Sequence, residues 1–192
     1  MDRSELLVSV AFGLFYRHGV HAVGINRLLE ESGVAKKTLY NHFASKEDLV
    51  AATVQYRHQQ FYSWIEARTR GAADGESAIY ALFDALDDWF NDRDKEMGSF
   101  HGSYFTNVSA EYGELDHPIH QRCAEHKKAI LRLIAKHVGK IFSDQKTVDL
   151  IAEAILLLKD GAVVQAHVRG DLKAAVKAKE VVAELLKARL TR

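Results

Sequence analysis

The chain has 192 residues, 47% of them hydrophobic, and its 26 Lys and Arg residues are matched by 26 Asp and Glu. That is enough apolar material for the core of one ordinary domain, or of a small domain fused to a larger one, and it excludes disorder and a globally basic nucleic-acid coat. The single Cys123 excludes an intramolecular disulfide and fits a reducing cytoplasm.

The opening "MDRSELLVSVAFGLFY" contains an apolar run, but Asp2 and Glu5 outweigh Arg3, so it does not read as a signal peptide. No run approaches the ~18 apolar residues of a membrane span. Leu7, Val10, Ala11, Leu14 and Phe15 recur at i, i+3, i+4, i+7, i+8, which predicts a first helix, stopped by Gly19. Ile25, Leu28 and Leu29 mark a short second helix ended by Gly33. A third runs from about Lys36 to Phe43, with Leu39 and Phe43 facing inward. Ser45 and Asp48 have capping-box spacing and open a fourth helix, which reaches about Arg70 with Leu49, Ala52, Thr53, Tyr56 and Gln60 on one side. Beyond the "GAADG" loop, Ile79, Leu82, Phe83, Leu86 and Phe90 form one face of a fifth. A sixth spans Ser99 to Tyr112, and Pro118 suits the first position of a seventh that runs to about Phe142. "SDQ" starts the eighth, which is apolar on most sides from Ala152 to Val164. The ninth, about Leu172 to Leu190, carries Ala178, Val181, Val182, Leu185 and Leu186 on one stripe. With one proline and no alternating strand pattern, the expectation is an all-α chain of about nine helices.

Helices two and three, joined at Gly33 and Val34, have the arrangement of a helix-turn-helix, whose second helix enters the DNA major groove. The third helix would bury Leu39 and Phe43 and present Lys36, Lys37, Thr38, Asn41 and His42. Lysine meets guanine edges or phosphate, asparagine pairs with adenine, and a threonine methyl meets the thymine methyl. Tyr40 could donate to a phosphate, and Lys46 lies in the first turn of helix four, where backbone N–H groups favour one. Residues 33–46 hold three lysines and no acid, so the positive charge is concentrated on this one helix.

The segment "GINRLLEESGVAKKTLYNHFASKEDLVAA" resembles the DNA-binding segment of the tetracycline-repressor (TetR) family of bacterial regulators. Gly33-Val34, Leu39-Tyr40, His42-Phe43, Lys46-Glu47 and Leu49 fall in register with its pattern. "FTNVSAEY", "HPIHQ" and "LLLKDGAVVQAHVRGD" look like segments of one branch of the family. The resemblance implies a helix-turn-helix unit over residues 1–47 and a ligand-binding, dimerising bundle over 48–192. It also implies a homodimer on a double-stranded DNA operator and repression relieved by a small-molecule effector. By motif position Thr38, Tyr40, His42 and Lys46 match phosphate contacts, while Lys36, Lys37 and Asn41 fall where sequence readout varies. Two departures stand out: Gly24 and Ala35 occupy positions where the family has a capping Ser or Thr.

In the larger part, helix eight is apolar nearly all round, so a four-helix bundle made by the last two helices of two chains would bury it. Aromatic residues cluster between 61 and 112; most suit core packing, but intermixed polar groups favour a pocket. The candidate lining is Trp64, Phe83, Phe100, His101, Tyr104, Phe105, Asn107, Cys123 and His126, for a small, largely apolar or aromatic effector. His117, His120, Cys123 and His126 recur every third residue and raise a metal-responsive alternative, but at ~3.6 residues per turn that stripe drifts around a helix. No phosphate loop or nucleophile motif points to an enzyme, and no cofactor is implied. A helical small-molecule-binding or interaction protein without DNA binding stays open as the other alternative.

Overall fold

The computed structural model describes residues 2–190. Among them the chain order is α1 (Arg3–His18), α2 (Ile25–Ser32), α3 (Lys36–His42), α4 (Lys46–Arg70), α5 (Gly75–Phe90), α6 (Tyr104–Glu111), α7 (Pro118–Val138), α8 (Gln145–Arg169) and α9 (Ala174–Leu190), with no strand. The all-α class and the number of helices are those the periodicity predicts.

Most helix ends are set by local chemistry. Asp2 and Glu5 close a capping box on α1, and Gly19, at φ 84°, ends it. On α4 Ser45 Oγ accepts from the Asp48 N–H while the Asp48 carboxylate accepts from the Ser45 N–H, each at 3.1 Å. Asp74, Ser103 and Asp144 cap α5, α6 and α8 through their side chains. Gly24 and Ala35 precede α2 and α3 without a side-chain cap. These two short helices depend on packing, because an isolated helix of fewer than ~12 residues is marginal in water.

Three boundaries differ from the periodicity. α6 starts at Tyr104 and not at Ser99, because Gly98 and Gly102 adopt positive φ, 66° and 82°. A Cβ on Gly102 would lie 2.6 Å from His167 Nδ1, so the backbone there passes where no side chain fits. α7 ends at Val138 and closes in turns from Lys140 N–H to His137 O and Ile141 N–H to Val138 O. α9 begins at Ala174, two residues later than expected. The inward face of α4 also differs: Leu49, Val50, Thr53, Val54, Arg57, Phe61, Trp64 and Ile65 are buried, whereas Tyr56 is exposed. The face turns because the Arg57 guanidinium lies over the Phe12 and Tyr16 rings, 5.2 and 5.5 Å from their centroids, and fills the inward position.

The fold divides into two compact units. The first holds the chain through Gln60 together with Ser103–Lys127; the second holds Phe61–Gly102 and the chain from Lys128 onward. In the first, Phe12, Tyr16 and Tyr104 pack ring against ring at 5.0–5.9 Å. Thr53 Oγ1 donates to the Val50 carbonyl at 2.7 Å, so the Tyr104 hydroxyl, 2.7 Å away, donates to Thr53. In the second, Trp89 packs against Phe61, Trp64, Phe90 and Phe100, and Trp64 Nε1 donates to Asp94 at 2.7 Å. There α9 packs against α5 and α8, and Lys179 pairs with Asp84 at 2.7 Å.

Gly75 is a tight point of the second unit: a Cβ there would lie 2.3 Å from the His137 carbonyl oxygen and 2.8 Å from Ile141 Cγ1. Gly75→Ala is expected to cost about 2 kcal/mol by overpacking and to lower the melting temperature by about 4–8 °C. Gly71→Ala, with nothing within 4 Å of the new Cβ, should leave the melt unchanged; differential scanning calorimetry of both variants makes the comparison.

Candidate functional site

The short helices α2 and α3 meet at Gly33, which takes the left-handed conformation at φ 65°. Ser32 Oγ tightens the turn by accepting from the Val34 N–H at 3.3 Å. On α3, Leu39 is fully buried, and Phe43, just past its end, is buried with it. Leu28 of α2 is also buried, so the pair is anchored by apolar side chains. The opposite face of α3 presents Lys36, Lys37, Tyr40, Asn41 and His42 to solvent, with Thr38 half-buried between the two faces. Side chains at i, i+1, i+4 and i+5 share that outer face, which is why four of the predicted residues, Lys36, Lys37, Tyr40 and Asn41, fall together.

Lys46 has a different environment. Its Nζ donates to the Val20 carbonyl at 2.6 Å and lies 5.9 Å from the centre of the Phe15 ring. Partial burial lowers its pKa, and the nearby Glu111 carboxylate opposes that shift. At the same end of α4 the Asp48 carboxylate occupies the Ser45 N–H. Lys46 is therefore a tie between α4 and the α1–α2 loop.

Glu111, the last residue of α6, completes that tie. Its carboxylate accepts from the Val20 N–H at 2.7 Å and from the His21 N–H at 2.6 Å. The Val20 peptide is thus held on both sides, its N–H by Glu111 and its carbonyl by Lys46. Sequence reasoning missed Glu111, because nothing local pairs residue 111 with residues 20 and 21.

The nine candidate ligand residues separate. Trp64, Phe83, Phe100 and His101 lie in the second unit, where Trp64, with its indole N–H bonded to Asp94, and Phe83 are core and Phe100 packs on Phe90 and His167. Tyr104, Phe105, Asn107, Cys123 and His126 lie in the first. There α6 and α7 border a cleft of about 280 Å³, to which α6 contributes Phe105, Thr106 and Ser109, and α7 contributes His120, Cys123, Ala124 and Lys127. Tyr104 is core, and His126 lies behind Phe105, the two rings stacked at 3.4 Å and 8°. His126 Nδ1 is 3.1 Å from His58 Nδ1. His120, Ala124 and Lys127 join Cys123 at i, i+3, i+4, i+7, a spacing the sequence displayed but that reads first as an ordinary helix face.

The histidine series does not converge. His117 Nδ1 accepts from the Ile119 N–H at 3.2 Å, His120 Nδ1 donates to the Tyr112 carbonyl at 2.8 Å, and His126 stacks on Phe105. Among the described residues no group of three His, Cys, Asp or Glu side chains is placed to hold a metal ion.

The family described as bacterial regulatory proteins, tetR family, matches residues 7–53. The transcriptional repressor ComR of Escherichia coli is 27% identical over 140 residues, 72% of this chain and 66% of that protein. The transcriptional activator FasR of Mycolicibacterium smegmatis is 31% identical over 87 residues, 45% of this chain and 39% of that one. The chain thus spans less than two thirds of the length of these two relatives. SCO4454, a TetR-family transcriptional regulator from Streptomyces coelicolor, has the same fold, with a TM-score of 0.86 at 24% identity over 97% of this chain and 90% of that one.

Lys46→Met keeps the apolar stem and removes the donor to Val20. The protein is expected to lose about 1 kcal/mol of stability, as for other lost hydrogen bonds. Urea denaturation without DNA reads this directly; an unchanged midpoint would mean that the tie contributes nothing to the fold.

Proposed function

We infer that this chain, which belongs to the tetR family of bacterial regulatory proteins, is a homodimeric, ligand-responsive repressor that binds operator DNA. One observation carries the DNA-binding part: α3 is held by buried Leu39 while Lys36, Lys37, Tyr40, Asn41 and His42 stand on its solvent face. Lys36, Lys37 and Asn41 would read base edges, Thr38, Tyr40 and His42 would position phosphates, and Lys46 would be oriented near them by its bond to Val20. In functional terms residues 1–47 would meet DNA and 48–192 would bind the effector and dimerise. A cytoplasmic location goes with this reading, and among the described residues no helix is long and apolar enough to cross a membrane. The relatives include both a repressor and an activator, and repression is the commoner use of the fold in the family this chain resembles.

The dimer is supported by α8. Leu150, Leu157, Val164 and Val168 recur on one face at intervals of seven, seven and four, and all are exposed. Leu172, Val176 and Val181 extend the apolar surface at and along α9. A row of this length at coiled-coil spacing is costly to leave in water, and a second copy presenting the same row would cover it. Effector binding would then change the separation of two recognition helices that must match half-sites about 34 Å apart, or a multiple of that.

Two outcomes test this reading. Lys36→Ala/Lys37→Ala should weaken retention of DNA from upstream of the protein's own gene by tenfold or more and make it less steeply dependent on salt, since a dimer loses four positive charges from its DNA-facing surface. Wild-type protein without salt-dependent binding to that DNA would sink the regulator reading in favour of a helical binding protein. Leu157→Glu/Val164→Glu should convert the dimer to a monomer in light scattering coupled to size exclusion, and an unchanged mass would place the interface elsewhere.

A further inference from the structure

We propose that the outer face of the C-terminal half of α7 is a second nucleic-acid contact, which holds the phosphate backbone of duplex DNA without reading its sequence. The face lies within the second unit, and the proposal is independent of what α3 does.

Residues 126–143 contain Lys127, Lys128, Arg132, Lys136 and Lys140 and no aspartate or glutamate, in a chain whose acidic and basic residues are equal in number. This corrects the expectation that positive charge is concentrated on α3 alone: the acids of α5 and α8 mask the stretch in any count over the larger part of the chain. Lys128, Arg132 and Lys136 follow one another at i, i+4 on α7, and Lys140 continues the series in its closing turn. All four are exposed, whereas Ile130, Leu133, Ile134, His137 and Val138 on the other side are buried. At ~1.5 Å per residue the four span about 18 Å of one face.

Such a row works against the helix that carries it. Like charges at i, i+4 repel, and the helix dipole offsets this only in the last turn, where Lys136 lies. Elsewhere in the second unit cations are matched: Arg68 with Asp88, Arg93 with Asp87, Lys177 with Asp171 and Lys179 with Asp84. Among the described residues Arg132, Lys136 and Lys140 have no such acidic partner. Their potential reaches the interior: burial lowers the pKa of His137, and Lys140 and Lys136 lower it further.

The chemistry of the face selects the partner. Among the described residues no large apolar side chain is exposed between Leu115 and Leu150. The face therefore has nothing to insert into a bilayer and no apolar anchor for a protein. A phosphate backbone needs neither, because cations alone hold it and the release of counterions drives binding. A DNA strand carries one charge per ~3.4 Å of axis, so about five phosphates would pass along the face and its four cations. Residues 126–143 include no Asn, Gln or Thr, which fits backbone contact rather than base readout.

Fluorescence anisotropy of the full chain with a short labelled duplex of scrambled sequence, at rising salt, tests the face. In the Lys36→Ala/Lys37→Ala background, which removes the lysines of α3, salt-dependent binding should persist. Adding Arg132→Gln/Lys136→Gln should weaken it about tenfold or more at low salt. Adding Lys95→Gln/Lys173→Gln instead, which removes the same charge elsewhere in the second unit, should change it less than about twofold. Arg132→Glu separates binding from folding, since it puts a carboxylate four residues from both Lys128 and Lys136. It should hold or raise the melting temperature while it lowers DNA affinity. Loss of all binding once the α3 lysines are gone would overturn the proposal. So would equal losses from the two glutamine pairs, or an Arg132→Glu protein that binds the duplex like its parent. Binding to phosphatidylglycerol vesicles but not to the duplex would overturn it in favour of a membrane surface. Wild-type protein that binds upstream and scrambled DNA alike, and through α7 only, would defeat the regulator reading and leave this one standing.

Discussion

The Val20 peptide is gripped from two directions, by a carboxylate at the end of α6 and by an ammonium at the start of α4. Both are charge-assisted bonds to backbone groups, the stronger kind of protein hydrogen bond, and neither group can be withdrawn cheaply once its partner is half-buried. Their joint effect is to set the loop between α1 and α2 relative to α4 and α6. Since α2 and α3 follow directly from that loop, the position of the exposed face of α3 depends on one glutamate 91 residues away from Val20. This explains why residues 103–127 belong to the same compact unit as the N-terminal helices.

The same constraint accounts for the weak capping of α2 and α3. Neither Gly24 nor Ala35 supplies a side-chain acceptor, at a cost of a few tenths to about 1 kcal/mol each relative to serine. The helices persist because Leu28, Leu39 and Phe43 are buried and because the entering loop is pinned. Packing thus replaces capping, and the outer face of α3 is left to polar and basic residues. Charge neutrality of the whole chain is compatible with this, since Lys36 and Lys37 concentrate positive charge on one exposed face.

The two units put their aromatic residues to different uses. Trp64, Trp89, Phe90 and Phe100 form a packed cluster in the second unit, with the Trp64 indole N–H bonded to Asp94. In the first unit the Phe12 and Tyr16 rings, themselves packed on Tyr104, lie against the Arg57 guanidinium, and Phe105 lines the cleft between α6 and α7. α8 divides by face: Ile151, Ile155 and Ala162 are buried, while Leu157 and Val168 are mostly exposed, so its apolar character has two separate causes.

The sequence by itself determined the helices, because periodicity, caps and glycine stops act over a few residues. It determined the exposed face of α3 too: in a seven-residue helix, burying Leu39 leaves Lys36, Lys37, Tyr40 and Asn41 outside. The tertiary structure decided what depends on residues distant in the chain. It turned the buried face of α4 by placing Arg57 against Phe12 and Tyr16, and it delayed α6 to Tyr104 by passing Gly102 against His167. It separated the aromatic candidates into two units, and it tied Lys46 and Glu111 to the two sides of Val20. A hydrogen bond between residues 20 and 111 leaves no pattern in either local segment, since each reads as an ordinary loop or helix end until the fold brings them within 2.7 Å.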